Sequence, residues 1–322
     1  MAIWLSETDV RVLLPLPELI DVTEQALAAY SEHDATQPVR TVLSIPGGVF
    51  GCMPGLLPAQ GALGAKLVTV CHDNVRRGLV THLATIVLLD PNTGELLAVM
   101  DGRYITEMRT AAASAVAVRY LARDDVRRLA IIGSGVQAAS HLQALSLVRE
   151  FDQVQCWSRT RSNLEKFVDE WSKGPYRVQA ADSAQAAIEG ADVIALVAAG
   201  TEPVIQNAWV KPGACILAVG ACRPAERELQ NTLIARSRLF VDSREAAFQE
   251  SGDIIAALNG GHITPSHILG EVGELVRGRL AGRLSSGDGT IFKSLGMAVE
   301  DLAAAQLVYQ RARGMERGVE LP

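Results

Sequence analysis

The stretch Leu129-Ala130-Ile131-Ile132-Gly133-Ser134-Gly135-Val136-Gln137-Ala138 determines how the rest of the chain is interpreted. An apolar run leads into the pattern G-x-G-x-x-A, and a sequence typical of a helix follows. Gly133 permits a tight turn, Gly135 lets the backbone approach a pyrophosphate, and the small Ala138 lets the helix pack close to a sheet. Glycines also serve ordinary turns, but this context predicts a dinucleotide site. The residues predicted to contact the cofactor here are Gly133, Ser134, Gly135, Val136 and Gln137.

The sequence around this turn alternates between short apolar runs and helical patterns. Strands are predicted at 129–132, 154–157, 191–197, 214–219 and 239–241, and helices at 136–148 and 162–171. This alternation predicts a Rossmann domain of the α/β class, with a doubly wound parallel sheet.

The first third of the chain has a different pattern, which predicts an α+β domain. Its predicted elements are a helix at 17–30, strands at 41–45, 63–70, 85–89 and 95–100, and a helix at 106–121 with Thr106 as a possible cap. The turn at 90–94 joins two of these strands as a plausible hairpin. A last helix is predicted at 295–309 and is expected to return to this domain. The predicted domains are therefore 1–122 rejoined by 295–322, and 123–294.

Composition excludes several classes of protein. The 322 residues suit two domains, and the apolar fraction of 48% allows a full core. The formal charge is −6 without a basic tract, so neither nucleic acid nor a membrane is expected as a partner. The five cysteines form no Cys-x-x-Cys, and the histidines show no metal spacing, so no metal is expected. No secretory signal is evident, and the predicted location is the cytoplasm.

The end of the second predicted strand distinguishes the two nicotinamide cofactors. An acidic residue there would bind the ribose 2′-hydroxyl of NAD. This chain has Trp157-Ser158-Arg159-Thr160 instead, in which Arg159 can pair with a 2′-phosphate and its neighbours can donate hydrogen bonds. The alternative for Arg159 is a solvated loop residue. The sequence favours NADP(H), with NAD(H) possible.

Three basic residues occupy unusual places in the first domain. Arg40 opens a predicted strand, Lys66 interrupts an apolar one, and Arg109 lies in an Ala-rich helix. Each alone could be a surface or ion-paired residue, since an unpaired buried charge is costly. Together they would suit a small carboxylate, which arginine grips with two hydrogen bonds. His82, by itself, could be structural, and Glu250 could cap a helix or face a ligand.

Several segments, taken in order, resemble the ornithine cyclodeaminase/μ-crystallin family over nearly the whole chain. They are 37–41 (QPVRT), 65–69 (AKLVT), 97–102 (LAVMDG), 109–112 (RTAA), 133–138, 157–160, 209–213 (WVKPG), 219–224 (VGACRP), 250–253 (ESGD) and 292–301 (FKSLGMAVED). The resemblance is greatest to the μ-crystallin branch, whose members act as NADPH-dependent ketimine reductases.

The resemblance implies a homodimer built on the sheet domain, and it assigns roles to residues. Arg40, Lys66 and Arg109 match contacts to the substrate carboxylate. The other matched positions are Thr81 and His82 near the nicotinamide, with His82 also as a substrate contact, Val219 and Ser294 as cofactor contacts, the latter at the domain junction, and Glu250 near the ligand.

Cys222 departs from the deaminating members of the family, which carry an aspartate at this substrate-site position. A thiol cannot replace a carboxylate base, which argues against ornithine cyclodeamination. Cys222 itself could be a small core residue or a nucleophile.

We therefore expect reduction of a cyclic ketimine that carries a carboxylate, such as Δ1-pyrroline-2-carboxylate or Δ1-piperideine-2-carboxylate, to proline or pipecolate. Lys66 could protonate the ring nitrogen, Arg109 would hold the carboxylate, and Glu250 could stabilise the iminium. The alternatives are an ornithine or lysine cyclodeaminase, an amino-acid dehydrogenase, and a non-catalytic protein that binds NADPH and a small acid.

Overall fold

The computed structural model describes residues 1–198 and 200–321, except for the side chain of His72. Its packing divides the chain into two compact units. Unit 1 comprises Met1–Thr110 and Gly296–Pro322, and unit 2 comprises Ala111–Leu295. The predicted domain boundaries at 122/123 and 294/295 stay predictions.

Unit 1 is built on one sheet. Its strands are β1 (Ile3–Leu5), β2 (Thr41–Ile45), β3 (Gly48–Leu57), β4 (Ala62–Cys71), β5 (His82–Leu89), β6 (Leu96–Asp101) and β15 (Val319–Glu320). Its helices are α1 (Glu7–Leu13), α2 (Leu16–Ser31), α11 (Ala298–Gly314) and the start of α3 (Arg103–Leu121). Short 3₁₀ turns lie at Pro58–Gln60 and His72–Arg77. Within the described residues the strand order is β15-β1-β6-β5-β4-β3-β2.

The long hairpins β3–β4 and β4–β5 are antiparallel and form the centre of this sheet. Side chains alternate along β4, with Ala62, Gly64 and Lys66 buried and their neighbours partly exposed. Helix α11 packs against β3, β4 and β5 and also against α2. Because α11 is rich in alanine, its backbone can approach the sheet closely. Lys66 is therefore a charged residue on an otherwise apolar, covered face.

The start of α3 corrects the predicted cap. The helix begins at Arg103, and Asp101 Oδ1 accepts hydrogen bonds from Arg103 N at 3.0 Å and Tyr104 N at 3.4 Å. Thr106 was predicted as a cap, but it lies inside the helix, where its hydroxyl donates to Gly102 O at 2.7 Å. An aspartate that accepts from the first helical amides is a strong N-terminal signal, and the prediction overlooked it.

Unit 2 is a parallel α/β domain. Its strands are β7 (Arg128–Ile132), β8 (Gln153–Trp157), β9 (Val178–Ala180), β10 (Val193–Leu196), β11 (Cys215–Ala218), β12 (Arg238–Val241), β13 (Ile268–Glu271) and β14 (Thr290–Lys293). Its helices, besides the rest of α3, are α4 (Val136–Val148), α5 (Arg161–Trp171), α6 (Ala184–Ile188), α7 (Asn231–Arg236), α8 (Arg244–Glu250), α9 (Gly252–Asn259) and α10 (Val272–Val276). Two 3₁₀ turns lie at Asn207–Trp209 and Pro265–His267.

The strand order of unit 2 is β13-β12-β14-β11-β10-β7-β8-β9 across the described residues, and the paired strands are parallel. The chain moves outward from β7 through β8 to β9 and then returns to place β10 on the other side of β7. Strands β10 and β11 are wholly buried, as expected for a sheet covered on both faces. The predicted Rossmann fold is confirmed, and β7 lies at its topological switch point.

The sequence located most elements but missed several strands. The strands β1, β3, β9, β13, β14 and β15 were not predicted, and neither were the helices α1, α6, α7, α8, α9 and α10. The last helix was predicted at 295–309, and it begins three residues later and extends to Gly314. Among the described residues, the structure contains no helix with the length and apolar character needed to span a bilayer.

Candidate active site

Lys66 lies near the middle of β4, where Met53 of β3 and Ile86 of β5 are its cross-strand neighbours. Its side chain is only 2% exposed. The ammonium therefore cannot rely on water for its solvation, and it forms an ion pair with Asp301 of α11, with Nζ 2.6 Å from Oδ2. Such a pairing explains how a lysine is tolerated on this face of the sheet.

Arg109 reaches the same carboxylate from α3. Its Nε donates to Asp301 Oδ1 at 2.8 Å, and its Nη1 donates to Glu300 Oε2 at 2.8 Å. The side chain is 5% exposed, and both acidic side chains are fully buried. One carboxylate of α11 thus bridges Lys66 and Arg109, which lie on different elements of unit 1.

Arg40 joins the cluster through the backbone before α11. Its Nη2 donates to Gly296 O at 3.0 Å. Gly296 has a φ of +82°, and a Cβ there would lie 2.4 Å from Arg109 Nη1. The segment that carries Arg40 is itself fixed, because Gln37 Oε1 accepts a hydrogen bond from Val299 N at 2.9 Å. Arg40 and Arg109 therefore lie on either side of one glycine, and the three predicted cations converge.

The electrostatics of this cluster favour an anionic ligand. Burial lowers the pKa of Lys66 to about 8, and the charges of Arg109 and Arg40 act in the same direction, while Asp301 opposes them. Burial also acts to lower the pKa of Arg109, but Asp301 and Glu300 raise it above its usual value. Lys66 and Arg109 contact two buried carboxylates, and Arg40 adds a third basic side chain to the cluster, so a small acid group would meet three cations here.

Sequence reasoning missed the two carboxylates. Glu300 and Asp301 were quoted within the segment 292–301, but they were given no role. A signal was available, because buried cations require counter-ions and this acidic pair opens an Ala-rich, buried helix. The sequence separation of 192 residues between Arg109 and Asp301 hides the pairing.

Thr81 and His82 lie at the start of β5. His82 is exposed, and its Nδ1 lies 2.9 Å from Thr81 Oγ1. His82 pairs in register with Val70, four residues along β4 from Lys66. This spacing corresponds to about 13 Å along the strand. The predicted roles of Thr81 and His82 near a nicotinamide stay predictions.

The glycine-rich turn of unit 2 has the geometry that a pyrophosphate requires. Gly133 has a φ of +131°, and a Cβ there would lie 3.0 Å from Val197. Gly135 precedes α4, whose start has no side-chain cap, and a Cβ on Gly135 would meet nothing within 4 Å. Open space beside uncapped amides at a helix N-terminus fits a bound phosphate. Ala138 is fully buried, as close packing of α4 requires.

The next turn carries the residues predicted to distinguish NADP from NAD. Strand β8 ends at Trp157, and α5 begins at Arg161 after the N-cap Thr160. Ser158 is partly exposed, while Arg159 and Thr160 are exposed. No acidic residue lies between Trp157 and Arg161. The observed turn is thus open to a ligand and contains one arginine.

Val219, Cys222 and Ser294 follow adjacent strands at the same edge of the unit 2 sheet. Val219 follows β11, and Ser294 follows β14, with Ser294 N donating to Ala218 O at 3.0 Å. The Cys222 thiol donates to Val219 O at 3.2 Å and lies 3.9 Å from Ser294 O. The Ser294 hydroxyl is buried without a hydrogen-bond partner. Gly133 follows β7 at this same edge, where parallel sheets bind ligands.

Glu250 is the last residue of α8 and is partly buried. The nearby Gly252 packs so tightly that a Cβ there would lie 2.2 Å from Glu226 O and 2.6 Å from Pro224 O. Glu250 is thus close in sequence to a segment packed on the loop that carries Cys222. Glu250 and Cys222 belong to unit 2, whereas Arg40, Lys66 and Arg109 belong to unit 1. The predicted catalytic role of Glu250 and the predicted substrate contact of Cys222 stay predictions.

Comparison with known proteins places this site in a family. The chain is 45% identical to the ketimine reductase mu-crystallin of Rattus norvegicus over 296 residues, which cover 90% of this chain and 91% of that protein. It is 35% identical to a Delta(1)-pyrroline-2-carboxylate reductase of Bacillus cereus, over 98% of this chain and 97% of that protein.

A solved structure is similar over its whole length. The Delta(1)-pyrroline-2-carboxylate reductase of Thermococcus litoralis, in complex with NADH and L-proline, superimposes with a TM-score of 0.96. It is 37% identical, and the match covers 99% of this chain and 100% of that one. The sequence model of the Ornithine cyclodeaminase/mu-crystallin family matches residues 2–316. The chain therefore belongs to the ornithine cyclodeaminase/μ-crystallin family.

Proposed function

We propose that the chain, an oxidoreductase of this family, uses NAD(P)H to reduce cyclic ketimines that carry a carboxylate. The proposed substrates are Δ1-pyrroline-2-carboxylate and Δ1-piperideine-2-carboxylate, and the products are L-proline and L-pipecolate. The observation that carries the proposal is the convergence of Lys66, Arg109 and Arg40 beside two buried carboxylates. The relative from rat is a ketimine reductase, and those from Bacillus cereus and Thermococcus litoralis are Delta(1)-pyrroline-2-carboxylate reductases, which supports the same chemistry for this chain.

The three cations would bind the substrate carboxylate. Arg109 cannot be deprotonated and is held by two carboxylates, so its guanidinium is fixed in orientation before substrate arrives. Arg40 is partly exposed and lies on the other side of Gly296. A carboxylate gripped in this way has little freedom to rotate, and most of the catalysis would come from positioning the imine carbon.

Lys66 would supply the proton. A lysine with a pKa of about 8 is mostly protonated at pH 7, yet it gives up its proton more readily than an exposed lysine does. Proton transfer from Nζ to the ring nitrogen, together with hydride addition at the imine carbon, converts the C=N bond into an amine. Lys66 is left neutral and takes a new proton from solvent.

A reduced nicotinamide supplies the hydride when bound. The turn at Gly133 and Gly135 would hold its pyrophosphate on the amides of α4. We further propose a preference for NADP(H), because Arg159 is exposed between Ser158 and Thr160, at the place where an acidic residue would bind the ribose 2′-hydroxyl of NAD. The Thermococcus relative was solved with NADH, so this preference is a proposal for the present chain alone.

The environment of Cys222 disfavours cyclodeamination as the alternative. Its thiol donates a hydrogen bond to the Val219 carbonyl at 3.2 Å, so its proton is directed at a backbone oxygen. A protonated thiol cannot take up a proton from ammonia or water, as a deaminase base must. The residue therefore suits a reductase better than a deaminase.

We propose a homodimer formed by unit 1 and a cytoplasmic location. The dimer is supported by large apolar side chains that stay exposed on and near β2 and β5. They are Val42, Leu43, Val75, Leu79, Val80 and Leu83. Exposed apolar side chains of this kind are typical of a subunit interface. The location rests on the sequence alone.

An absorbance assay at 340 nm tests the function. Purified protein is mixed with NADPH and each cyclic imine, and a parallel arm contains L-ornithine and NAD without any reductant. We expect oxidation of NADPH with both imines and no ammonia in the ornithine arm. Turnover of ornithine alone would indicate a deaminase, turnover of pyruvate plus amine a dehydrogenase, and tight NADPH binding without turnover a binding protein.

Lys66→Met tests the proton donor. We expect the imine-reduction rate to fall by about a hundredfold or more, as for loss of a general acid. Lys173→Met is the control, since Lys173 is 71% exposed and pairs with Asp169 on the surface of α5 and the turn after it. Equal rates for the two variants would show that Lys66 has no part in the reaction.

A further inference from the structure

Asp301 occupies a special position, because one carboxylate contacts two of the proposed catalytic cations. Its Oδ2 lies 2.6 Å from Lys66 Nζ, and its Oδ1 accepts from Arg109 Nε at 2.8 Å. The residue lies in the first turn of α11 and is fully buried. A carboxylate that uses both oxygens in this way fixes the separation and orientation of the two cations.

Such an arrangement is not explained by stability alone. Removing two charges from water costs free energy that offsets most of their attraction, so buried ion pairs contribute little net stability. Their effect on reactivity is larger, because a buried ammonium responds strongly to each neighbouring charge. The nearby Glu300 contacts Arg109 Nη1 at 2.8 Å and already supplies one counter-ion to that guanidinium.

We propose that Asp301 is the positioning residue of this site, which holds Lys66 and Arg109 as one unit and keeps the Lys66 proton available for the substrate nitrogen. This inference rests on the proposed function, since it assigns a role within the same reaction. Asp301 itself need not touch the substrate, because it acts through the two cations that it orients.

The charges around Lys66 give the direction of the effect. Burial lowers the pKa of Lys66 to about 8, a value that includes the raising effect of Asp301 on α11 and the lowering effects of Arg109 on α3 and Arg40 before β2. The cross-strand neighbours Met53 and Ile86 carry no charge. Without the Asp301 charge the pKa of Lys66 would fall below about 8. A smaller fraction of Lys66 would then be protonated at pH 7 and able to donate a proton.

The pH dependence follows with a definite sign. The imine gains a hydride at carbon and the Lys66 proton at nitrogen, so kcat requires protonated Lys66. Activity is therefore present at low pH and is lost as the pH rises through the pKa of Lys66. Removing the Asp301 charge moves this loss to lower pH.

The test is the pH profile of kcat with saturating NADPH and Δ1-pyrroline-2-carboxylate. We expect the alkaline limb to move to lower pH by about one unit or more in Asp301→Asn. Asp301→Glu, which restores the charge, should return the limb close to its original position. Glu300→Gln is the matched control, because it removes a buried carboxylate from Arg109. We expect this control to raise KM without moving the limb.

Each outcome decides the proposal. An active wild type whose alkaline limb is unmoved in Asp301→Asn would overturn this inference alone, whereas a wild type that does not reduce the imine would overturn the proposed function as well. If Asp301→Asn does not fold, thermal unfolding is measured for Lys66→Met and for the double variant Lys66→Met/Asp301→Asn, to determine whether each is folded. A folded double variant supports the inference, because Lys66 is then the charge that Asp301 compensates. An unfolded double variant beside a folded Lys66→Met overturns it.

Discussion

Gly296→Ala tests whether the Arg109 guanidinium is held in one place for ligand binding. Gly296 has a φ of +82°, and an alanine in this left-handed conformation destabilises the folded state by about 1–2 kcal/mol. The new Cβ would also lie 2.4 Å from Arg109 Nη1, 2.8 Å from Nη2 and 3.0 Å from Cζ. These contacts are too short, and the guanidinium must move.

The movement has a cost that can be estimated from the hydrogen bonds it breaks. Arg109 donates to Asp301 and Glu300 at 2.8 Å each, and loss of one bond to a charged group costs about 1.5–3 kcal/mol. The free energy of unfolding should therefore fall by about 3–5 kcal/mol in total. Because the displaced guanidinium no longer meets the substrate carboxylate, we expect KM for the cyclic imine to rise about tenfold or more.

Gly94→Ala is the matched control. Gly94 has a φ of +76° in the exposed turn after β5, and a Cβ there would meet nothing within 4 Å. The free energy of unfolding of Gly94→Ala should fall only by the backbone contribution of about 1–2 kcal/mol, and its KM should equal that of the wild type. The measurements are urea unfolding with unchanged m-values and steady-state kinetics. Equal losses of stability and equal KM values for the two variants would refute the reasoning.

Three further predictions concern unit 2. Arg159→Ala should lower kcat/KM for NADPH about tenfold and leave kcat/KM for NADH unchanged. The control is Arg161→Ala, which should change neither value, because the guanidinium of Arg161 pairs with the neighbouring Glu165. Gly135→Val should leave the melting temperature nearly unchanged but weaken NADPH binding in a fluorescence titration about tenfold or more, since its side chain has room only when the pyrophosphate is absent. Burial acts to raise the pKa of Asp192, but Lys211 and backbone amides lower it to about 2. The ionised Asp192 carboxylate therefore stabilises the fold above about pH 4, and this stabilisation is lost as the pH falls towards 2. The difference in urea midpoint between wild type and Asp192→Asn should therefore shrink between pH 5 and pH 2, and a constant difference would contradict this assignment.

The fold of unit 2 could be predicted because its signals are local. An apolar run, a glycine turn and a helix follow one another within twenty residues, from β7 to the end of α4 at Val148. The missed strand β3 shows where local signals fail. It contains Pro54 and several glycines, which indicate breaks, yet Pro54 is accommodated because β2 pairs only with residues 48–52. At Pro54 the strand is therefore an edge on that side and needs no donor.

The candidate site could be predicted only in part, for a similar reason. Arg40, Lys66 and Arg109 are conspicuous because charges are unusual in such segments. Their convergence depends on α11, which follows the whole of unit 2 in sequence and returns to unit 1. No local pattern relates Lys66 to Asp301, and the ion pair that makes the lysine tolerable becomes visible only in the packed structure. The capping role of Asp101, in contrast, was readable from the sequence.

The most direct measurement of the central claim compares two cyclic imines that differ only in the carboxylate. Steady-state reduction of Δ1-pyrroline-2-carboxylate and of Δ1-pyrroline is followed with wild type and with Arg109→Met. Δ1-pyrroline cannot form the two charge-assisted hydrogen bonds of the carboxylate, so with wild type its kcat/KM should be about a hundredfold or more below that of Δ1-pyrroline-2-carboxylate. Arg109→Met should reduce this difference in kcat/KM between the two imines. Equal kcat/KM values for the two imines with the wild-type enzyme would show that the cluster of Lys66, Arg109 and Arg40 does not bind the acid group.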